Sequence, residues 1–292
     1  MVVNILDAIK NLVLSKQNIL QEVNTSSNRA NAMGDTLEKY VQDIFANSVN
    51  CSNENEREEK INDVLSYTGN STNPPDALIR NGAAIETKKI QSRTSQLQLN
   101  SSFPGAKLYY DNPRLKKEVR DFKKLRENEW TERDIIYAVG YISKKNKKNY
   151  LKELALIDAE AYCANKSVYL NLFNKIKAGI NNIPNTVFSD TKELGRINQI
   201  DPLKRSDLRV RGMWLLKNPF ETFADIYPKP NKDTAFSLVS IITKHKFDSF
   251  PNHNEFFNFA NSIDGLEIKD VEVQDPNDAA KKISCKLITY SY

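Results

Sequence analysis

The sequence predicts an α/β protein, a mixed β-sheet flanked by helices, built as one large domain or a domain with a subdomain. Three observations carry this. Asp134–Ile142 is a nearly continuous apolar run, far too short to span a bilayer and suited to a central strand covered on both faces. Apolar residues recur at helical spacing in three separate stretches. Residues 74–88 place two short apolar segments on either side of Asn81-Gly82, the pattern of a β-hairpin.

In chain order, Ile5, Ile9, Leu12 and Val13 predict a first helix from Asn4 to about Leu20. A second helix follows the cap region Ser26-Ser27-Asn28 and runs from Arg29 to Ala46, with Ala30, Met33, Leu37, Val41, Ile44 and Phe45 on one face. Residues 47–63 are acidic and Asn-rich, and read as loop and a short surface helix. The hairpin follows, and then a polar stretch, Gln91–Lys107. Pro113–Arg126 reads as a basic amphipathic helix with Leu115, Val119 and Phe122 inward. After the central strand, Glu153–Asp158 suits a second buried strand. Tyr169, Leu172, Phe173, Ile176 and Ile180 mark a helix ending near Gly179. Leu266–Val273 and Ile283–Tyr290 alternate like an edge hairpin around Asp275-Pro276-Asn277.

Composition removes several function classes. Cys51, Cys163 and Cys285 are odd in number and scattered, which argues against a disulfide framework or structural zinc. His245 and His253 are the only histidines, too few for a histidine base with further histidine ligands, and His253 reads as a solvent-facing turn residue. Asp7 and Lys10 interrupt the N-terminal apolar stretch, against a secretory signal, so a cytoplasmic location is expected. Residues 80–152 hold 18 Lys and Arg against 8 Asp and Glu, in a chain whose net charge is only +5. A basic middle suits a polyanionic substrate, although Lys144–Lys148 looks like a solvated turn.

The chemistry concentrates in the hairpin. Asp76 sits on its first arm, and Glu86 and Lys88 on its second. Two carboxylates and a lysine on adjoining strands are what metal-assisted phosphodiester hydrolysis needs: hard oxygens for Mg²⁺ and a positive charge beside the attacking water. Register decides whether they meet, because residues directly opposite in an antiparallel pair share a face. A two-residue Asn81-Gly82 loop would turn Asp76 away from Glu86. A three-residue loop, Arg80-Asn81-Gly82 with Gly82 left-handed, pairs Ile79 with Ala83 and sets Asp76 across from Glu86, with Lys88 on the same face. The three-residue loop is therefore expected. Glu38, at the edge of the second helix's stripe, is either a surface acid or a third acid reaching this site. Further on, residues 192–217 hold seven basic and three acidic groups, including Arg196 and Asn198. Arg209 and Arg211 alternate with Leu208 and Val210, so a strand there projects both arginines to one side, toward base edges or into salt bridges with Asp201 or Asp207.

Pro75-Asp76 with Glu86-Thr87-Lys88 resembles the motif of the PD-(D/E)xK nuclease superfamily. Longer blocks resemble one branch of it, the NgoPII-type type II restriction endonucleases. They include Asn28-Arg29-Ala30-Asn31, Asn73-Pro74-Pro75-Asp76-Ala77, Leu99-Asn100-Ser101-Ser102, Thr191-Lys192-Glu193-Leu194-Gly195, Leu208-Arg209-Val210-Arg211-Gly212-Met213-Trp214 and the terminal Leu287–Tyr292. The resemblance implies a Mg²⁺-dependent homodimer that cleaves double-stranded DNA within GGCC, accompanied by a cognate DNA methyltransferase. On this resemblance Asp76 and Glu86, with the Thr87 carbonyl, hold the metal, and Lys88 and Glu38 complete the catalytic set. Asn31, Asn100, Ser101, Arg196, Asn198, Arg209 and Arg211 become DNA-binding candidates. Residues 1–185 would form the catalytic core, and residues 186–292 an integrated DNA-recognition and dimerisation region. A repair nuclease of the same superfamily and a non-catalytic DNA-binding protein stay open at this point.

Overall fold

The computed structural model describes residues 2–20, 29–70, 73–99, 102–146 and 148–292, with backbone alone for 29–34 and 70. The chain opens with α1 (Ile5–Ser15) and β1 (Ile19–Leu20), then α2 (Arg29–Ala46), α3 (Glu54–Val64), β2 (Leu65–Asn70), β3 (Asn73–Ile79) and β4 (Ala84–Ile90). Short strands β5 (Leu97–Gln98) and β6 (Lys107–Tyr109) and a helical turn, α4 (Phe122–Leu125), precede the long pair β7 (Glu132–Lys145) and β8 (Lys148–Asp158). Then come α5 (Lys166–Asn181), β9 (Val187–Phe188), β10 (Gly195–Asn198), β11 (Leu208–Val210), β12 (Leu215–Leu216) and α6 (Pro219–Thr222). The chain closes with β13 (Ser237–Thr243), α7 (Lys244–Ser249), α8 (His253–Asn261), β14 (Leu266–Asp275) and β15 (Asp278–Ser291).

One large sheet runs β14-β15-β13-β8-β7-β4-β3-β2, with β1 added beside β8 and β6 beside β7. The β4–β7 and β13–β8 pairs are parallel and the other pairs antiparallel, so the sheet is mixed, as the sequence predicts. The apolar run becomes β7 at its centre. Ile136, Ala138 and Ile142 face a core shared with α1, α2 and α8, while Ile135, Tyr137 and Val139 face a second core reaching α6. Burial on both faces is why this strand reads as continuously apolar rather than alternating. On β7, Gly140 lets α2 lie close: a Cβ there would come within 2.8 Å of the Leu37 methyl carbons. That contact seats Leu37, and with it the neighbouring Glu38, over the sheet. The C-terminal hairpin forms as expected, with β14 at the sheet's edge.

Several local expectations are corrected. The first helix stops at Ser15, because Lys16 turns left-handed (φ 50°) and its N–H closes on the Leu12 carbonyl. Ile19–Leu20 then adds to the sheet instead of extending the helix. Pro113–Arg126 is not one helix. The Asn112 side chain accepts the Arg114 N–H and the Asp121 side chain accepts the Lys124 N–H, so each starts a separate short turn, and left-handed Arg126 ends the second. Leu115 and Val119 are nonetheless buried. His253 opens α8 half-buried, with Nδ1 2.6 Å from the Phe250 carbonyl, rather than facing solvent in a turn. Among the described residues no helix is long and apolar enough to cross a membrane.

Candidate active site

The β3–β4 hairpin has the three-residue loop. Ala77 pairs with Ile85 and Leu78 with Ala84, and the Ile79 N–H donates to the Ala83 carbonyl at 3.0 Å. The left-handed residue is Asn81 (φ 54°), not Gly82, which corrects that detail of the turn. Asparagine tolerates this conformation, and its side chain here also accepts the Asn128 N–H at 2.8 Å. The loop is pinned from behind. Arg133 donates to the carbonyls of Ile79 and Gly82 at 3.0 and 2.9 Å and pairs with buried Glu127. Arg80 donates to the carbonyls of Leu125 and Asn62, each at 2.6 Å.

Ladder pairing stops at Ala77–Ile85, and beyond it side chains take over. The Thr87 N–H donates to Asp76 Oδ2 at 2.6 Å. Lys88 Nζ lies 3.2 Å from that same oxygen, 3.0 Å from Glu86 Oε2 and 3.1 Å from the Thr87 carbonyl. Two carboxylates and one carbonyl thus converge on a single cationic head-group. On the far side, β2 supports this corner: a Cβ on Gly69 would sit 2.3 Å from the Pro75 carbonyl oxygen, so only glycine lets β2 pass so close to Asp76. The parallel neighbour β7 completes the platform, with Glu86 in register with Tyr137 and Lys88 with Val139.

Electrostatics follow from this crowding. Burial, reinforced by Asp76, pushes the Glu86 carboxyl up to about 7 despite Lys88. Burial also raises Glu38 to about 7, with Asp76 the largest charge acting in the same direction. Burial opposes the charge on Lys88, yet Glu86 and Asp76 outweigh it and hold the ammonium above its ordinary range. Lys88 is therefore a fixed positive charge at neutral pH, not a base.

Asp76, Glu86 and Lys88 open onto a cleft of about 730 Å³. Glu38 and Asp35 of α2 line one wall; Lys166, Leu170 and Phe173 of α5 line another. Glu38 flanks the carboxylate pair rather than joining it: among the described residues no three His, Cys, Asp or Glu side chains cluster closely enough to hold a metal. The all-oxygen donor set of Asp76, Glu86 and the Thr87 carbonyl suits a hard divalent cation, and it already surrounds one positive charge.

The structure gathers Asp76, Glu86, Thr87, Lys88 and Glu38 in one place. Arg196, Asn198 and Arg209 form a second group on the three-stranded sheet β11-β10-β9, with Arg211 just past the end of β11. Arg196 is directly opposite Arg209, so Arg196, Asn198 and Arg209 share one face. Arg209 and Arg211 both bind Glu193, at 2.9 and 2.7 Å, rather than Asp201 or Asp207; Asp207 instead pairs with Arg196. Asn198 exchanges hydrogen bonds with Ser189. Asn100 and Ser101 lie outside the described residues, as does the side chain of Asn31. Sequence reasoning missed Arg114. It lines the cleft beside Glu193 and Arg211, with no hydrogen-bond or ion-pair partner for its guanidinium among the described residues. It is an uncommitted cation at the mouth, and only its place in a basic segment signalled it.

The profile of the NgoPII restriction endonuclease family matches residues 3–274. The type II restriction enzyme NgoPII of Neisseria gonorrhoeae is 46% identical over 287 residues, which cover 98% of this chain and 99% of that one. No solved structure matches the fold. A match of this extent puts the chain in the class of type II restriction endonucleases, site-specific hydrolases of DNA. Within that class it belongs to the NgoPII restriction endonuclease family.

Proposed function

We propose that Asp76, Glu86 and Lys88 are the hydrolytic centre, in a PD-(D/E)xK core, and that the natural cation is Mg²⁺. The observation that carries this reading is the ring of three oxygens around Lys88 Nζ. A divalent ion bound by Asp76, Glu86 and the Thr87 carbonyl would neutralise charge on the phosphate and acidify a coordinated water. The remaining work falls to the chain. The Thr87 N–H fixes the Asp76 carboxylate in one orientation. Lys88, kept protonated by its neighbours, donates a hydrogen bond to the attacking water and stabilises charge on the phosphorane. Glu38, raised to about 7 in the metal-free site, lines the same cleft and can exchange a proton with that water. Attack in line expels the 3′ oxygen and leaves a 5′ phosphate.

Arg209 and Arg211, with Arg196 and Asn198, are proposed to read base edges. Two arginines held as a pair on one glutamate support recognition of adjacent guanines, as a GGCC target offers. Arg114 is proposed as a phosphate contact at the cleft mouth, and Asn31, Asn100 and Ser101 as further backbone contacts. The C-terminal strands β13–β15 continue the central sheet, so recognition within residues 186–292 is assigned to the 187–216 portion. A palindromic target implies a two-fold homodimer, each copy cutting one strand of the duplex. The enzyme would work in the cytoplasm beside a methyltransferase that protects the same site. Digesting a DNA of known sequence with Mg²⁺ and sequencing the ends tests this: cuts within GGCC bearing 5′ phosphates are expected. Cuts at an unrelated sequence would overturn the GGCC assignment, and 3′-phosphate ends would overturn the chemistry.

A further inference from the structure

One carboxylate, that of Glu193, lies beneath two exposed cations. It accepts Arg209 Nε at 3.1 Å and Arg209 Nη2 at 2.9 Å, and Arg211 Nε lies 2.7 Å from its Oε1. The three side chains are layered: Glu193 is 15% exposed, and both arginines over it are 57% exposed. The backbone that carries Glu193 is tied down. Its N–H donates to Thr191 Oγ1 at 3.1 Å, and Lys177 of α5 donates to the Thr191 carbonyl at 2.8 Å. Two residues on, Gly195 lies so close to α5 that a Cβ would come within 2.7 Å of Ile180. Lys192, just before Glu193, lines the cleft.

We propose that Glu193 is a positioning residue for sequence recognition, a role that rests on the base-reading assignment of Arg209 and Arg211 above. It holds both guanidinium groups from below, presents their outer forks to guanine, and keeps them from settling on phosphates at other sequences. The geometry of the contacts supports this. A guanidinium carries five N–H donors in a rigid fork. Arg209 commits its Nε hydrogen and one Nη2 hydrogen to Glu193, along one side of that fork. The end-on fork, made by Nη1 and the other Nη2 hydrogen, is left for guanine O6 and N7. Arg211 is met at Nε, on the same side of its own fork. Charge supports the role too. An arginine with no acid beside it gains from a phosphate in any sequence, because neutralised phosphates release counterions wherever they lie. Glu193 repels phosphate and leaves the trio a net charge of +1, so the arginines profit chiefly where base edges accept their forks. Arg196, directly opposite Arg209, has an acid of its own, Asp207 at 2.7 Å. Arg114 at the cleft mouth has no such partner among the described residues, which suits a phosphate contact.

Glu193→Gln keeps the size of the side chain and removes its charge. Binding isotherms in Ca²⁺ at several salt concentrations compare it with the wild type, on a duplex bearing the site the enzyme cuts and on one lacking it. The variant's affinity for the site-free duplex is expected to rise about threefold or more, with the slope of log affinity against log salt steeper by about one. Its preference for the site is expected to fall roughly tenfold or more. The gain on site-free DNA is expected to vanish when Arg209→Ala and Arg211→Ala are added. Should Glu193→Gln fail to fold, shown by loss of its cooperative urea transition, Glu193→Ala is read the same way. In a variant that folds, equal losses on both duplexes, an unchanged preference, or a gain that persists without the two arginines would each overturn the role of Glu193. Arg209→Ala and Arg211→Ala on their own separate the two readings. If the preference survives both, base reading by these arginines falls and the role of Glu193 with it; if they abolish it and Glu193→Gln does not lower it, only the role of Glu193 falls.

Discussion

The charge states of Glu38, Glu86 and Lys88 follow from their crowding around Asp76, and pH exposes this. Glu38 and Glu86 are pushed up to about 7, above the ordinary carboxylate range. At these two carboxyls the folded metal-free protein therefore binds more protons than the unfolded chain between about pH 4.5 and about pH 7, so their contribution to stability falls as pH rises across that window. A cation that requires ionised carboxylates acts in the opposite sense. The urea midpoint in EDTA is expected to drop from about pH 5 to about pH 7.5, and Mg²⁺ is expected to restore it increasingly above about pH 7. A Mg²⁺ effect independent of pH would contradict the assignment. Arg114→Ala is expected to weaken binding to cognate and non-cognate DNA alike and to lower the slope of log affinity against log salt by about one, as read from binding isotherms at several salt concentrations. The meeting of Asp76, Glu86 and Lys88 was legible in the sequence because parity in a hairpin is countable; Arg114 was not, because a guanidinium without a partner among the described residues is a three-dimensional fact.

At the scale of elements, the hairpin is held as much by what lies behind it as by its own ladder. Arg133 joins the loop carbonyls to buried Glu127. Arg133→Ala strands that carboxylate and is expected to cost about 3–5 kcal/mol, measured as a lowered urea midpoint. Gly69→Ala drives a Cβ into the Pro75 carbonyl and displaces Asp76, so its cleavage rate is expected to fall at least tenfold while DNA affinity changes little. A rate within twofold of wild type would show that β2 does not position the site. Helix α2 and the central strands were readable from periodicity, since burial imposes it. The basic segment before β7 was misread as a helix because its apolar spacing is helical, whereas Asn112 and Asp121 break it with local side-chain bonds. The left-handed position fell to Asn81 rather than Gly82, a choice made by its bond to Asn128 that the turn sequence does not reveal.

Over the whole molecule, one mixed sheet carries both the β3–β4 hairpin and the C-terminal strands, with a thinly packed unit, α5 with β9 to β11, beside the cleft. The α/β class was readable because the order of strand and helix patterns survives errors in their boundaries. The joining of β13 to β8 was not, since a parallel pairing across eighty residues leaves no local trace. The central question is whether the carboxylates of Asp76 and Glu86 and the ammonium of Lys88 perform the cut. The most direct measurement compares wild type with Glu86→Ala and Lys88→Ala on a plasmid in Mg²⁺, alongside binding to a cognate duplex in Ca²⁺. Discrete fragments from the wild type are expected, with rates at least a thousandfold lower in both variants and specific binding retained. Cutting at the wild-type rate by either variant would contradict it.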